Sequence, residues 1–435
     1  MWNPRGRGTR TVSDWYLFPE RERRGTVASV DLLTIDQINA ASELLAPVMR
    51  RTPSVASRVL SERTDHQVWL KCENLQRTGS FKPRGAYNRI ANLSAEERCN
   101  GVVAASAGNH AQGVAWAATQ LGIPSTVFMP ANAALPKVVA TKAYGATVHL
   151  GGETIEDALD KAREFAEQVG ATLVHPFDHI DVVSGQATVA LEILEQIPDV
   201  ETIVVPTGGG GLIAGVAAAV HVLAPHVRVI GVQAADAAAW PGSLAAGKPV
   251  RAQAMSTMAD GIAVGLPGVV TFAHVQSYVD TIVTVSEDAL SQALLLCMER
   301  AKLIVEPAGA AAVAALMTCA AEELNLRGPV CAILSGGNID PLLLTHVIHH
   351  GLRASDRYLA VRVTIPDRPG GLSRLLGVVS QSGASVVDVV HQRTAGTLAL
   401  DEVEVLLTME TRGTEHRNAA LAALADAGFA VTVQD

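Results

Sequence analysis

"TIVVPTGGGGLIAGVAAAVHVL", Thr202 to Leu223, places three local instructions end to end. Thr202–Pro206 is a short, β-branched apolar run, the composition of a strand covered on both faces. Four consecutive glycines, Gly208 to Gly211, let the backbone turn tightly and aim several N–H groups at one point. The alanine- and valine-rich run that follows has the length and composition of a buried helix. A strand, a glycine turn and a helix in that order form a building unit of a parallel sheet. The turn lies at the strand's carboxyl end, where the helix N-terminus adds partial positive charge, so an anion such as a phosphate is its natural guest.

The same grammar extends in both directions. "GVVAAS" leads into the loop "AGNHAQG" and the helical "VAWAATQLG". "STVFMP" leads into "ALPKVVATKAYG", and "ATVHLGG" into the amphipathic "TIEDALDKAREFAEQVG", with Thr154 as its cap. "VRVIGVQAA" follows the glycine-turn helix, and "VCAILSGG" is a late buried strand ending in another glycine turn. Residues 31–350 therefore read as an α/β catalytic region with a mostly parallel sheet, its functional loops gathered at the strands' carboxyl ends. "HHGLRASDR" reads as a linker, centred on residues 351–357. Residues 358–435 then run strand, helix, strand, strand, helix, strand, a ferredoxin-like β-α-β-β-α-β module poor in catalytic residue types.

Bulk composition agrees. The chain has 435 residues, 49% of them hydrophobic and only 18% charged, enough to bury a large core in more than one domain. A net charge of −9 argues against nucleic acid as a partner. The longest apolar run is the glycine-turn helix, interrupted by His221, which fits a buried helix and no membrane span. Cys72, Cys99, Cys297, Cys319 and Cys331 are scattered and form no CxxC pair, as expected of reduced thiols in a cytoplasmic protein. Residues 1–30, arginine-rich and lacking an apolar signal core, are expected to be a flexible extension.

Three further constellations carry chemistry. In "TGSFKPRGAYN", Thr78 to Asn88, a lone Lys82 stands between Phe81 and Pro83. Neighbours that restrict its direction, in an apolar setting that lowers its pKa, suit a Schiff-base lysine; a solvated lysine near a helix start is the plain alternative. In "SAGNHAQG", Ser106, Asn109 and His110 share a strand-to-helix loop whose N–H groups could hold a carboxylate. In "LSGGN", Ser335 is a hydroxyl positioned by glycines. The glycine turn has a second reading: Gly209, Gly211 and Ala214 match G-x-G-x-x-A, and Asp236 lies about twenty residues on, the pattern of a nicotinamide-dinucleotide site.

Together these stretches resemble the fold-type II pyridoxal-phosphate enzymes, the tryptophan synthase β-like fold with two open parallel-sheet subdomains. Within them the chain is similar to the threonine/serine dehydratases. The resemblance covers residues 34–348 and runs through "LKCENLQRTGSFKPRGAYN", "SAGNHAQG", "PTGGGGLIAG", "VEPAGA" and "SGGN". It implies pyridoxal 5′-phosphate as cofactor, with Lys82 as covalent anchor and base. Phe81 would pack against the ring, Asn109 would bond its 3′ oxygen, and Ser335 would meet its nitrogen. Gly208, Gly209, Gly210, Gly211 and Leu212 would cradle the phosphate. Ser106, Asn109 and His110 would hold the substrate carboxylate. The implied reaction is deamination of L-threonine to 2-oxobutanoate, with L-serine to pyruvate as a side activity. Serine racemases share the motifs but place a second serine where this chain has Ala107. They also carry an acidic metal site where it has Gln233, so no metal is expected. β-Replacement, as in cysteine synthase, is the other enzyme alternative, and a nicotinamide-dependent oxidoreductase the distant one.

In the last module, "IPDRPGGL", Ile365 to Leu372, is similar to the ligand loop of ACT domains. By that likeness Asp367, Gly370, Gly371 and Leu372 would receive an amino-acid effector such as isoleucine or valine, making the module allosteric. A bare β-to-α turn, or a sensor attached to a degenerate enzyme, are the competing readings. Family likeness implies a homotetramer, or a homodimer.

Overall fold

Parallel strands covered on both faces need apolar side chains in both directions, and the continuous apolar runs take those places. The computed structural model describes residues 30–393 and 401–434; the extension expected at residues 1–30 lies, but for Val30, outside them. Strands β3 (Val102–Ala105), β4 (Ser125–Met129), β5 (Thr147–Leu150) and β6 (Thr172–Leu173) form a parallel sheet in the order β5-β4-β3-β6. A second sheet has the order β1-β2-β10-β7-β8-β9. Its members are β1 (Ser54–Ala56), β2 (Val68–Lys71), β7 (Thr202–Pro206), β8 (Arg228–Ala234), β9 (Thr281–Val285) and β10 (Val330–Ile333), all parallel except the edge strand β1. The α/β architecture with two open parallel sheets is thus the one expected.

Side chains alternate across a strand. Ile203, Val205, Val229, Cys331 and Ile333 enter one core with the helix Gly211–Leu223. The intervening Val204, Ile230 and Ala332, all fully buried, therefore face the other side, where the helix Pro307–Thr318 packs. The helix Lys82–Ala91 crosses the helix Ile180–Gln196 so closely that a β-carbon on Gly85 would strike the Val182 carbonyl and the Gln186 amide. That contact explains the glycine three residues after the lysine. The Thr154 cap forms, with Asp157 completing a capping box.

Backbone contacts divide the chain into two compact units. The first comprises the described residues up to 287 together with 305–338, and contains both parallel sheets; the second comprises 288–304 and 339 onward. In the second unit, β11 (Tyr358–Pro366), β12 (Ser385–Gln392), β13 (Glu402–Glu410) and β14 (Ala430–Val433) form an antiparallel sheet, order β12-β13-β11-β14. With the helices Gly371–Ser382 and Thr414–Asp426 this is the β-α-β-β-α-β order read from the sequence. The helix Pro341–Ala354 runs through the first residues of the segment expected as a linker. Among the described residues no helix is long and apolar enough to cross a membrane.

Candidate active site

The lysine stretch is positioned by a pairing that spans most of the chain. Leu334 to Asn338 leave the end of β10 and run against Thr78 to Phe81. Phe81 N–H donates to the Ser335 carbonyl (3.1 Å), Ser80 and Gly336 form an antiparallel bridge, and Gly337 N–H donates to the Gly79 carbonyl (2.9 Å). The Asn338 amide closes the ladder by donating to the Thr78 carbonyl at 2.6 Å. Lys82 then begins a helix with Pro83 in its first turn, where a missing N–H costs nothing. The direction of the lysine is thereby set from both sides.

Lys82 is half-buried. Its Nζ donates to the Pro176 carbonyl at 3.0 Å and stands 5.2 Å from the centre of the Phe81 ring. Desolvation pushes its pKa down to about 8, against the pull of Glu306, which favours the charged form. The loop bearing Pro176 also builds the glycine turn. A β-carbon on Gly209 would collide with the Phe177 ring, and one on Gly210, whose φ is +96°, would overlap Trp240. At Gly209 and Gly210 no side chain larger than glycine's fits.

Asn109 opens the helix Asn109–Gln120. Its Nδ2 donates to Glu306 Oε1 (2.6 Å) and its Oδ1 accepts from Asn338 Nδ2 (2.8 Å), so both ends of the amide are oriented. Ser106 Oγ accepts from Gly108 N–H at 3.1 Å. His110 sits differently from the other loop residues. Its ring is buried with Nε2 2.7 Å from the Val174 carbonyl, and burial followed by the Lys82 charge lowers its pKa to about 3. Only its backbone N–H, in the helix's first turn, is left for an anion. Ser335 is 4% exposed, in the segment past β10, where its carbonyl accepts from Phe81 N–H.

Sequence motifs left three participants without a role. Glu306, at the start of the helix Pro307–Thr318, orients Asn109; burial, and secondarily Asp260, raise its pKa to about 7. Asn338 and the Pro176 carbonyl were likewise unassigned. The only sequence signals for them were the glycine motif that ends in Asn338 and the "VEPAGA" run. Gln233, fully buried, accepts from Trp240 N–H at 2.9 Å. Among the described residues no group of three or more His, Cys, Asp or Glu is arranged to hold a metal.

The arrangement fits pyridoxal phosphate on this structure's own terms. It offers an amine of depressed pKa, an aromatic ring beside it, and a glycine cradle that side chains would fill. Among the described residues no protein acceptor takes the N–H groups of Gly208 to Leu212. Comparisons with known proteins converge on the same group. Residues 45–336 match the family "pyridoxal-phosphate dependent enzyme". An L-threonine ammonia-lyase of Thermotoga maritima is 46% identical over 88% of this chain and 95% of that protein. Maize serine racemase superposes with a TM-score of 0.70 at 36% identity, covering 74% of this chain and 99% of that one. The processed form of threonine deaminase isoform 2 from Solanum lycopersicum gives 0.68 at 36% identity, over 75% and 98%. With the match spanning most of the chain, the chain belongs to the pyridoxal-phosphate dependent enzymes.

Proposed function

We propose that this chain is an L-threonine ammonia-lyase, converting L-threonine to 2-oxobutanoate and ammonia and, less readily, L-serine to pyruvate. The observation that carries the reading is the placement of the Lys82 amine. It is tied to the Pro176 carbonyl, and the next residue, Phe177, packs on the glycine cradle. In this reading Lys82 anchors the cofactor, Phe81 flanks its ring, Asn109 bonds its 3′ oxygen and Ser335 its ring nitrogen. The N–H groups of Gly208, Gly209, Gly210, Gly211 and Leu212 hold the phosphate. Ser106 and the N–H groups of Asn109 and His110, at a helix N-terminus, receive the substrate carboxylate.

Pyridoxal phosphate supplies an electron sink that stabilises negative charge at the substrate's α-carbon. The protein does the rest. Lys82, with a pKa near 8, keeps a useful neutral fraction near neutrality and takes the α-proton. Glu306 and Asn338 keep the Asn109 amide aimed. The α-proton and the β-hydroxyl are together lost as water, and hydrolysis of the released enamine gives the 2-oxo acid and ammonia. Ala107 has no proton to give, which supports elimination over racemisation.

In the second unit we propose an amino-acid effector site at Asp367, Gly370, Gly371 and Leu372. The helix Gly371–Ser382 starts there, Gly370 has φ +92°, and Asp367 pairs with Arg393 at 3.2 Å. Isoleucine and valine are the ligands to try, with a homotetramer or homodimer as the assembly and the cytoplasm as the compartment. The decisive experiment offers L-threonine and L-serine separately to the pyridoxal-phosphate-loaded protein. The reading requires 2-oxobutanoate from L-threonine, and loss of that product in Lys82→Ala. A Lys82→Ala protein with normal turnover would refute it.

A further inference from the structure

We propose that Trp240 and Thr271 are positioning residues that aim the glycine cradle at the cofactor's phosphate. The inference rests on the reading of Gly208 to Leu212 as the phosphate site. Both residues act on carbonyl groups. Trp240 Nε1 donates to the Gly208 carbonyl at 2.7 Å, and Thr271 Oγ1 donates to the Gly209 carbonyl at 2.7 Å. All peptide bonds of the described residues are trans. In a trans peptide the carbonyl of one residue and the N–H of the next point in opposite directions. Drawing back the Gly208 and Gly209 carbonyls therefore turns the Gly209 and Gly210 N–H groups away from Trp240 and Thr271, toward the open side of the turn.

The two anchors are themselves fixed. Trp240 is fully buried, its ring stacked on Phe272 (centroids 6.0 Å apart, planes 8° apart), and its N–H is held by Gln233. Thr271 is fully buried in the first turn of the helix Val269–Tyr278. The Asp178 carboxylate caps that turn, accepting from the N–H groups of Val269 (2.9 Å), Val270 (2.7 Å) and Thr271 (3.3 Å). Asp178 follows Phe177, which packs on Gly209, and Pro176, which holds the Lys82 amine. One loop thus mounts the lysine, the cradle and the cradle's anchor. A bare glycine run is the most mobile backbone a chain can make. Tying two of its carbonyls settles the ordering cost before the anion arrives, which is what tight binding needs.

The test compares binding of pyridoxal 5′-phosphate with binding of pyridoxal, the same aldehyde without the phosphate. Dissociation constants are read by absorbance titration of the full-length apo protein. The variants are Thr271→Val, which removes one donor at near-constant shape, Trp240→Phe, which removes the other donor together with one ring of the buried indole, and Thr271→Ser, which keeps the hydroxyl. Each lost donor should weaken pyridoxal-phosphate binding about three- to tenfold while pyridoxal binding stays unchanged, and Thr271→Ser should bind as the parent does. Two independent donors keep the test alive if one variant fails to fold. Unchanged pyridoxal-phosphate affinity, or equal weakening for both ligands, overturns the positioning role. If the unaltered protein binds the two ligands equally, the phosphate assignment itself falls, and this inference with it.

Discussion

Replacing Arg84 with methionine should cost the fold about 3–5 kcal/mol at pH 7, the usual cost of stripping one partner from a buried ion pair. Arg84 is 1% exposed, two residues after Lys82. Its guanidinium meets Glu73 through Nε (2.8 Å) and Nη2 (2.9 Å), Glu192 at 2.7 Å and Thr188 at 3.1 Å. Glu192 also has Lys71, at 2.6 Å. Glu73 is fully buried, and without Arg84 the side-chain bond it keeps is the one from the Thr52 hydroxyl at 2.5 Å. Burial alone would raise the Glu73 pKa, yet the Arg84 charge and hydrogen bonds, with Lys71, hold it below the usual value. A group so depressed stabilises the fold above its unfolded pKa, and that stabilisation is lost as pH falls through the folded pKa. In Arg84→Met the uncompensated Glu73 takes up a proton at higher pH, so the gap between the two proteins should narrow on acidification. At roughly 2 °C per kcal/mol for a unit of this size, the melting temperature should fall by about 6–10 °C at pH 7. Thermal melts of the parent, Arg84→Met, Glu73→Gln and the double variant measure both the loss and the coupling. A drop worth under about 1 kcal/mol, or additive losses in the double variant, would refute the reading of Arg84 and Glu73 as a mutually dependent buried pair.

The pKa of Lys82 near 8 makes the neutral amine available as pH rises through that value. The rate at which the apo protein takes up pyridoxal phosphate should climb with a midpoint around pH 8, and a midpoint above about 10, the ordinary lysine value, would contradict the burial account. Because Glu306 raises the Lys82 pKa, Glu306→Gln should move that midpoint downward; an upward shift would reverse the sign of the coupling. His110 and His175, lowered to about 3 and about 4 chiefly by burial, take up protons on unfolding below the ordinary histidine pKa of about 6.5. Stability should therefore fall between about pH 6.5 and 4 by up to about 1.4 kcal/mol per pH unit for each. His110→Gln should flatten that slope, as followed by melts across the range. Gly209→Ala should weaken pyridoxal-phosphate binding because its methyl collides with Phe177; adding Phe177→Ala should recover part of the loss, and no recovery would exclude that collision as the cause.

Much of the fold could be read from contiguous residues. β7 and β10 are apolar at consecutive positions because both faces are covered. The four glycines stand where a strand hands over to a helix, and the strand–helix order of the last module is legible from period alone. The cap at Thr154 is equally local. In each case residues a few positions apart decide the outcome, through alternation, turn chemistry and end-group hydrogen bonding.

Other features exist only after packing. β10 inserts between β2 and β7, and nothing in "VCAILSGG" names those neighbours. Insertion there lays Ser335–Asn338 against Thr78–Phe81, so the lysine's position depends on residues more than 250 places away. The His110 ring turns to the Val174 carbonyl, and Glu306 enters the site beside Asn109. A loop motif cannot encode which way a ring points, or which buried carboxylate meets an amide. The sequence by itself determined the family and with it the cofactor, because the motifs that carry the resemblance are each contiguous. Tertiary structure alone decided which groups face one another and with what pKa, because desolvation and long-range hydrogen bonds arise only once the two sheets and their helices have closed around them.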